Sequence, residues 1–174
     1  YPIDKIKPAI IAKYRDKKAN SISGSSINRS LDAISTIFTQ CKKEWGYPVT
    51  NPVLSIRRPK KAAPRNRRFS EEEIHKLVKG NRTSEVMRTL IQIALETGMR
   101  VGEIRNISHD HLKDSTLYIP VAKTEPRTIP LTPRAVTLIK NAKLPFKLSV
   151  DAIGKQFKRL CKHYGIKGAV FHDL

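Results

Sequence analysis

Three basic residues of this 174-residue chain stand where a folded protein could hold them for work on an anion: Arg100, Lys123 and His172. Arg100 follows residues 86–95, a run apolar on almost every side, as in a helix buried all round. Gly98, between them, suits a left-handed helix exit. An arginine emerging there is held by a rigid core, and its planar fork grips two oxygens of a phosphate while staying charged at any working pH. Glu103 stands three residues on, one turn into the next helix. Lys123 begins Lys123-Thr124-Glu125-Pro126, which separates β-favouring runs at 116–119 and 128–131, so the spacing predicts a hairpin with Lys123 at its tip. A lysine serves as a general acid when nearby cations and burial lower its pKa. Each residue also has a plainer reading. Arg100 and Glu103 could be a helix-surface pair worth about 0.2–0.5 kcal/mol, Lys123 a solvated turn lysine, and His172 a core residue beside Phe171.

Order and company decide between these readings. ETGMRVGEI (96–104), VAKTEPRTIPL (121–131) and FHDL (171–174) follow one another along the chain. Together they resemble the three signature boxes of the tyrosine recombinase and phage integrase family, the second with a pattern like TKTGKxRxVPL and the third like HxLRH. Glu125 and Pro126 replace the usual glycine and second lysine of the turn. The resemblance implies that Arg100 grips the DNA phosphate to be cut, that Lys123 protonates the departing 5′ oxygen, and that His172 assists proton transfer or holds the phosphate. Glu103 would orient Arg100 from behind. Thr124 and Arg127 either touch the DNA backbone or finish the hairpin. The family's second arginine would follow Leu174 directly, and its nucleophilic tyrosine would lie several tens of residues further on. None of Tyr1, Tyr14, Tyr47, Tyr118 and Tyr164 lies downstream of His172. The expectation is therefore a fragment, lacking the nucleophile and inactive in cleavage, of a parent that cuts and rejoins DNA through a phosphotyrosine link. No metal or other cofactor is implied.

Composition agrees with a polyanionic partner. The 34 Lys and Arg against 15 Asp and Glu give a net charge of +19, which points to nucleic acid. No apolar run is long enough to span a bilayer. Cys41 and Cys161 have no CxxC neighbour, which fits two buried free thiols in a reducing cytoplasm. His109 and His111 alternate without a further ligand cluster, as in a loop or a helix start rather than a metal site.

The elements that must position these residues are mostly helices. Residues 8–19 read as one helix. Ile27, Leu31, Ile34, Phe38, Cys41 and Trp45 form the apolar stripe of a second, capped by Ser25 or Ser26 and ended by Gly46, Pro48, Asn51 and Pro52. Residues 24–53 also resemble the core-binding domain of integrases, with Asn28 and Arg29 early in the helix as candidate DNA contacts. Residues 57–68 hold seven basic residues and two prolines in twelve. That composition suits an extended linker, read either as a solvated charge run or nuclear-targeting-like patch or, the favoured reading, as a segment lying along DNA phosphates through Arg57, Arg58, Lys60, Lys61, Arg65, Arg67 and Arg68. Ser70 and Glu73 then make a capping box, and further helices are predicted at 70–79, 84–97, 101–107, 133–141 and 150–164.

The expected fold class is mainly α. A helical core-binding (SAM-like) domain at 1–56 and the basic linker at 57–68 precede an α+β integrase-type catalytic domain with a small antiparallel sheet at 69–174. The expected function is site-specific recombination of double-stranded DNA in the cytoplasm, by a tetramer on paired sites as the resemblance implies. Two alternatives stay open: a non-catalytic DNA-binding protein or decayed integrase, and a type IB topoisomerase.

Overall fold

A computed structural model describes residues 2–120 and 125–174, so the predicted hairpin tip with Lys123 and Thr124 lies outside the described residues. The chain forms two compact units, Tyr1–Arg65 and Asn66–Leu174.

The first unit holds α1 (Pro8–Ala19), α2 (Gly24–Lys43) and short 3-10 turns at Ile3–Lys5 and Pro52–Ser55. Pro8 opens α1 at its first turn, where a missing N–H costs nothing. Ile27 and Leu31 of α2 meet Ile11 of α1 and Val53 in one core cluster. Phe38 and Cys41, two turns on, pack with Val49 in another. The cap of α2 is Ser23, upstream of the expected Ser25 or Ser26, and its Oγ accepts from the Ser26 amide at 3.2 Å. The reason lies at Gly24. A Cβ there would stand 2.5 Å from the Lys60 carbonyl, so the helix begins on the one residue that lets residues 59 and 60 pass. The stripe ends at Cys41, because α2 stops at Lys43 and Trp45 is 63% exposed beyond it.

Residues 57–60 pack on this unit rather than standing away from it. Arg15 Nη1 donates to the Arg57 carbonyl at 2.6 Å, buried Asn28 Nδ2 donates to the Pro59 carbonyl at 2.9 Å, and Arg58 pairs with Asp32 at 2.6 Å. The basic stretch is thus shared between the units, with its last residues, Arg67 and Arg68, in the second.

The second unit runs α3 (Glu71–Lys79), α4 (Glu85–Thr97), α5 (Val101–Arg105), β1 (Leu112–Lys113), β2 (Thr116–Ile119), β3 (Arg127–Pro130), α6 (Pro133–Asn141) and α7 (Val150–His163). A 3-10 turn at Phe171–Asp173 follows. Ser70, Ser84, Thr132 and Ser149 cap α3, α4, α6 and α7, and Ser70 with Glu73 completes the capping box. The sheet is antiparallel in the order β1-β2-β3, with Leu117 opposite Ile129 and Ile119 opposite Arg127. β1 was not expected from the sequence. It is two residues long and pairs through a turn in which Asp114 takes a positive φ of 48°. α5 is shorter than the expected 101–107, ending at Arg105.

Leu90, Ile91 and Ile93 of α4 lie at the centre of this unit's core, with Ile104, Leu117, Ile119, Ile139, Ile153 and Phe157 around them. Val86 is exposed while Met87 beside it is buried, so α4 has one exposed apolar position and is not buried all round. Gly98 ends α4 in the left-handed conformation at φ 62°, with its amide bonded to the Ala94 carbonyl at 2.8 Å. Each unit buries one cysteine in its core, Cys41 in the first and Cys161 in the second.

Candidate phosphate-binding site

Gly98 turns the chain out of a buried helix, Met99 tucks into the core, and Arg100 follows as the residue before α5 with extended backbone. Its side chain is 51% exposed while Glu103, three residues on, is 4% exposed. The two are held in register by the start of α5: the Arg100 amide donates to Glu103 Oε2 at 3.1 Å, and Arg100 Nη1 donates to Glu103 Oε1 at 3.3 Å. A carboxylate in the first turn of a helix also complements the positive helix terminus.

Arg127, the first residue of β3, completes the cluster. Its Nη1 and Nη2 donate to Glu103 Oε1 and Oε2 at 3.0 and 2.9 Å, a bidentate fork on the same carboxylate. Burial pushes the Glu103 carboxyl up, but the Arg127 hydrogen bonds, the Arg100 amide and the positive charge of Arg127 outweigh it and hold Glu103 below the usual carboxylate range. In return the carboxylate raises the Arg127 guanidinium. One buried negative charge thus carries two guanidiniums, one tied by two bonds and the other by one. The remainder is a net positive, partly exposed fork at a rigid helix start, built to receive an anion with planar or tetrahedral oxygens.

Sequence reasoning placed Glu103 behind Arg100 and left Arg127 open between a DNA contact and the end of the hairpin. The signal it passed over is the period of the strand. Arg127 shares its face with Ile129, the half-buried side of β3, and a charge on an inward face needs a partner.

His172 lies exposed on the 3-10 turn that follows α7, positioned by its neighbour Phe171, whose ring meets Phe157 of α7 edge-on at 5.3 Å. Asp173 Oδ2 accepts from the Val170 amide and closes that turn. Among the candidate DNA contacts, Arg29, Arg57, Lys60, Lys61 and Arg68 are exposed. Arg65 is exposed as well. Asn28 is buried and holds Pro59. Arg67 is engaged within the second unit, pairing with Glu73 at 2.5 Å and lying over the Phe69 ring at 5.1 Å. Among the described residues no group of three His, Cys, Asp or Glu side chains gathers to hold a metal. Nor is any described helix long and apolar enough to cross a membrane.

Residues 67–144 match the phage integrase family. The shufflon-specific DNA recombinase of Escherichia coli is 29% identical over 196 residues, covering all of this chain and 51% of that protein. Lambda integrase, in a tetramer bound to a Holliday junction, superimposes with a TM-score of 0.80 at 22% identity, over 99% of this chain and 58% of that one. The Tn1549 transposon integrase, in complex with circular intermediate DNA, gives 0.77 at 15% identity, over 99% and 71%. The family match thus lies within the second unit, and the likeness to the solved integrases is one of fold. The chain spans about half the length of the curated relatives it matches.

Proposed function

We propose that these residues belong to a site-specific tyrosine recombinase, an enzyme of the cytoplasm that binds duplex DNA and works as a tetramer on paired sites. It breaks and rejoins strands through a phosphotyrosine intermediate. The observation that carries this reading is the partly exposed Arg100, fixed behind by buried Glu103 and aimed from a helix start. In the reaction Arg100 stabilises charge on the non-bridging oxygens of the phosphate under attack. A guanidinium stays protonated at any working pH and so contributes charge and geometry, not a proton. Lys123 supplies the proton to the departing 5′ oxygen, since an ammonium can be tuned to give one up. His172 holds the phosphate or assists proton transfer. The exposed cations Arg29, Arg57, Lys60, Lys61 and Arg68 bind flanking phosphates, releasing counterions. Arg58 and Arg67, already paired with Asp32 and Glu73, contribute less.

A substrate whose bridging 5′ oxygen is replaced by sulfur separates the roles, because a thiolate leaves without protonation. In the whole recombinase, Lys123→Ala should cleave the oxygen substrate more slowly by a factor of about 10²–10⁴ and recover much of its rate on sulfur. Arg100→Ala should stay slow on both. If Lys123→Ala gains nothing from sulfur, the acid is another residue and His172 takes its place. If Arg100→Ala cleaves at the normal rate, the reading of the site is wrong.

A further inference from the structure

The Glu103 cluster holds more positive charge than a carboxylate needs, and the two arginines are not equivalent. Arg127 meets Glu103 with both terminal nitrogens at 3.0 and 2.9 Å, whereas Arg100 reaches it with one nitrogen at 3.3 Å. A guanidinium has five N–H donors, and among the described residues Arg100 gives only this one to the protein. A carboxylate left alone with Arg100 would be the stronger competitor for it. Paired fork to fork, a buried Glu103 would draw Arg100 into a neutral ion pair and away from any phosphate, since charge-assisted bidentate pairs are the strong ones.

We propose that Arg127 is a positioning residue: by occupying both Glu103 oxygens it keeps the Arg100 guanidinium available for phosphate, while bolting the first residue of β3 to helix α5. This rests on the reading of Arg100 as the phosphate ligand. It gives Arg127 a task distinct from touching DNA. The charges are consistent with it: with Arg127 in place the three side chains sum to +1, and without Arg127 they sum to zero, with Arg100 consumed. It also explains why a charged residue sits on the half-buried face of β3, opposite Ile119 and beside Ile129.

The test is a mutant cycle on the 174-residue chain, read as affinity for a short duplex DNA at fixed salt. Circular dichroism and a thermal melt show that each variant is folded. In the wild-type background Arg100→Ala should weaken binding about tenfold, the worth of one or two charge-assisted hydrogen bonds. In the Arg127→Gln background the same change should weaken binding less than twofold, because Glu103 has already captured Arg100. Adding Glu103→Gln to Arg127→Gln should restore the tenfold effect, since a neutral amide no longer competes. This double variant removes both members of the buried pair and leaves no orphaned charge, so it remains informative if Arg127→Gln alone unfolds. Arg127→Lys, which keeps the charge, should keep most of the Arg100 effect. A tenfold Arg100 effect that persists unchanged in Arg127→Gln overturns the proposal and leaves the phosphate reading intact, as does a double variant in which the effect stays absent. No Arg100 effect in the wild-type background overturns the phosphate reading itself.

Discussion

Glu103 is the residue on which the site turns, and its titration makes the dependence measurable. Its folded-state pKa lies below the ordinary value of 4.5, because the pull of Arg127 and Arg100 exceeds the push of burial. The unfolded chain therefore takes up this proton first as pH falls. The stability that the cluster contributes is whole above about pH 4.5 and is lost as pH drops through the lower, folded value. Glu73 behaves likewise through its hydrogen bond with Arg67, and the Ser70 amide adds to it. Urea denaturation at a series of pH values should thus show the chain losing stability in acid, and Glu103→Gln should flatten that loss while lowering stability at pH 7. A Glu103→Gln variant with the wild-type slope in acid would show that the carboxylate is not held by its arginines.

At the scale of elements, what was legible in the sequence was what local chemistry decides. Ser70 with Glu73, Pro133 at a helix start and Gly98 at a helix end each act within a turn of their own position, and the helices begin and end close to where those residues put them. What depended on distant partners was not legible. β1 exists only because Leu112 and Lys113 find Leu117 and Thr116 across a turn. The bond from Asn28 to Pro59 spans 31 residues, and that from Arg127 to Glu103 spans 24. In the site, Arg100 and Glu103 were readable as neighbours along one helix, whereas Arg127 had to be brought there by a strand. The α3–α4 corner is a second case of residues meeting across a long stretch of sequence. The Tyr164 hydroxyl, at the end of α7, accepts from the Arg82 amide at 3.0 Å and sits directly against Gly80. A Cβ on Gly80 would collide with that hydroxyl and with the Lys76 carbonyl. Gly80→Ala should therefore cost about 1–3 kcal/mol in a urea melt, as overpacking does. Adding Tyr164→Phe should recover only part, because the clashes with the Lys76 carbonyl and with the ring Cζ stay.

For the whole molecule the net charge of +19 favours a polyanionic partner, and duplex DNA is the one proposed above. Affinity for duplex DNA measured across a salt series should fall linearly on logarithmic axes, with a slope of about 0.9 per phosphate neutralised. Replacing Lys60, Lys61 and Arg68 with Gln should reduce that slope by about one for each phosphate that these side chains neutralise in the parent, and an unchanged slope would remove those residues from the interface. The placement of the two cysteines has a separate use. Cys41 and Cys161 are both buried, one in the core of each unit, and burial pushes the Cys161 thiol up to about 11, far from the reactive thiolate at neutral pH. A thiol-labelling reagent should therefore reach each buried cysteine only as its own unit opens, and a label acquired by both in the folded state would show that their burial does not shield them. Nature has supplied one built-in reporter for each half of the protein, so that the breathing of the two halves can be followed separately without adding a single foreign residue.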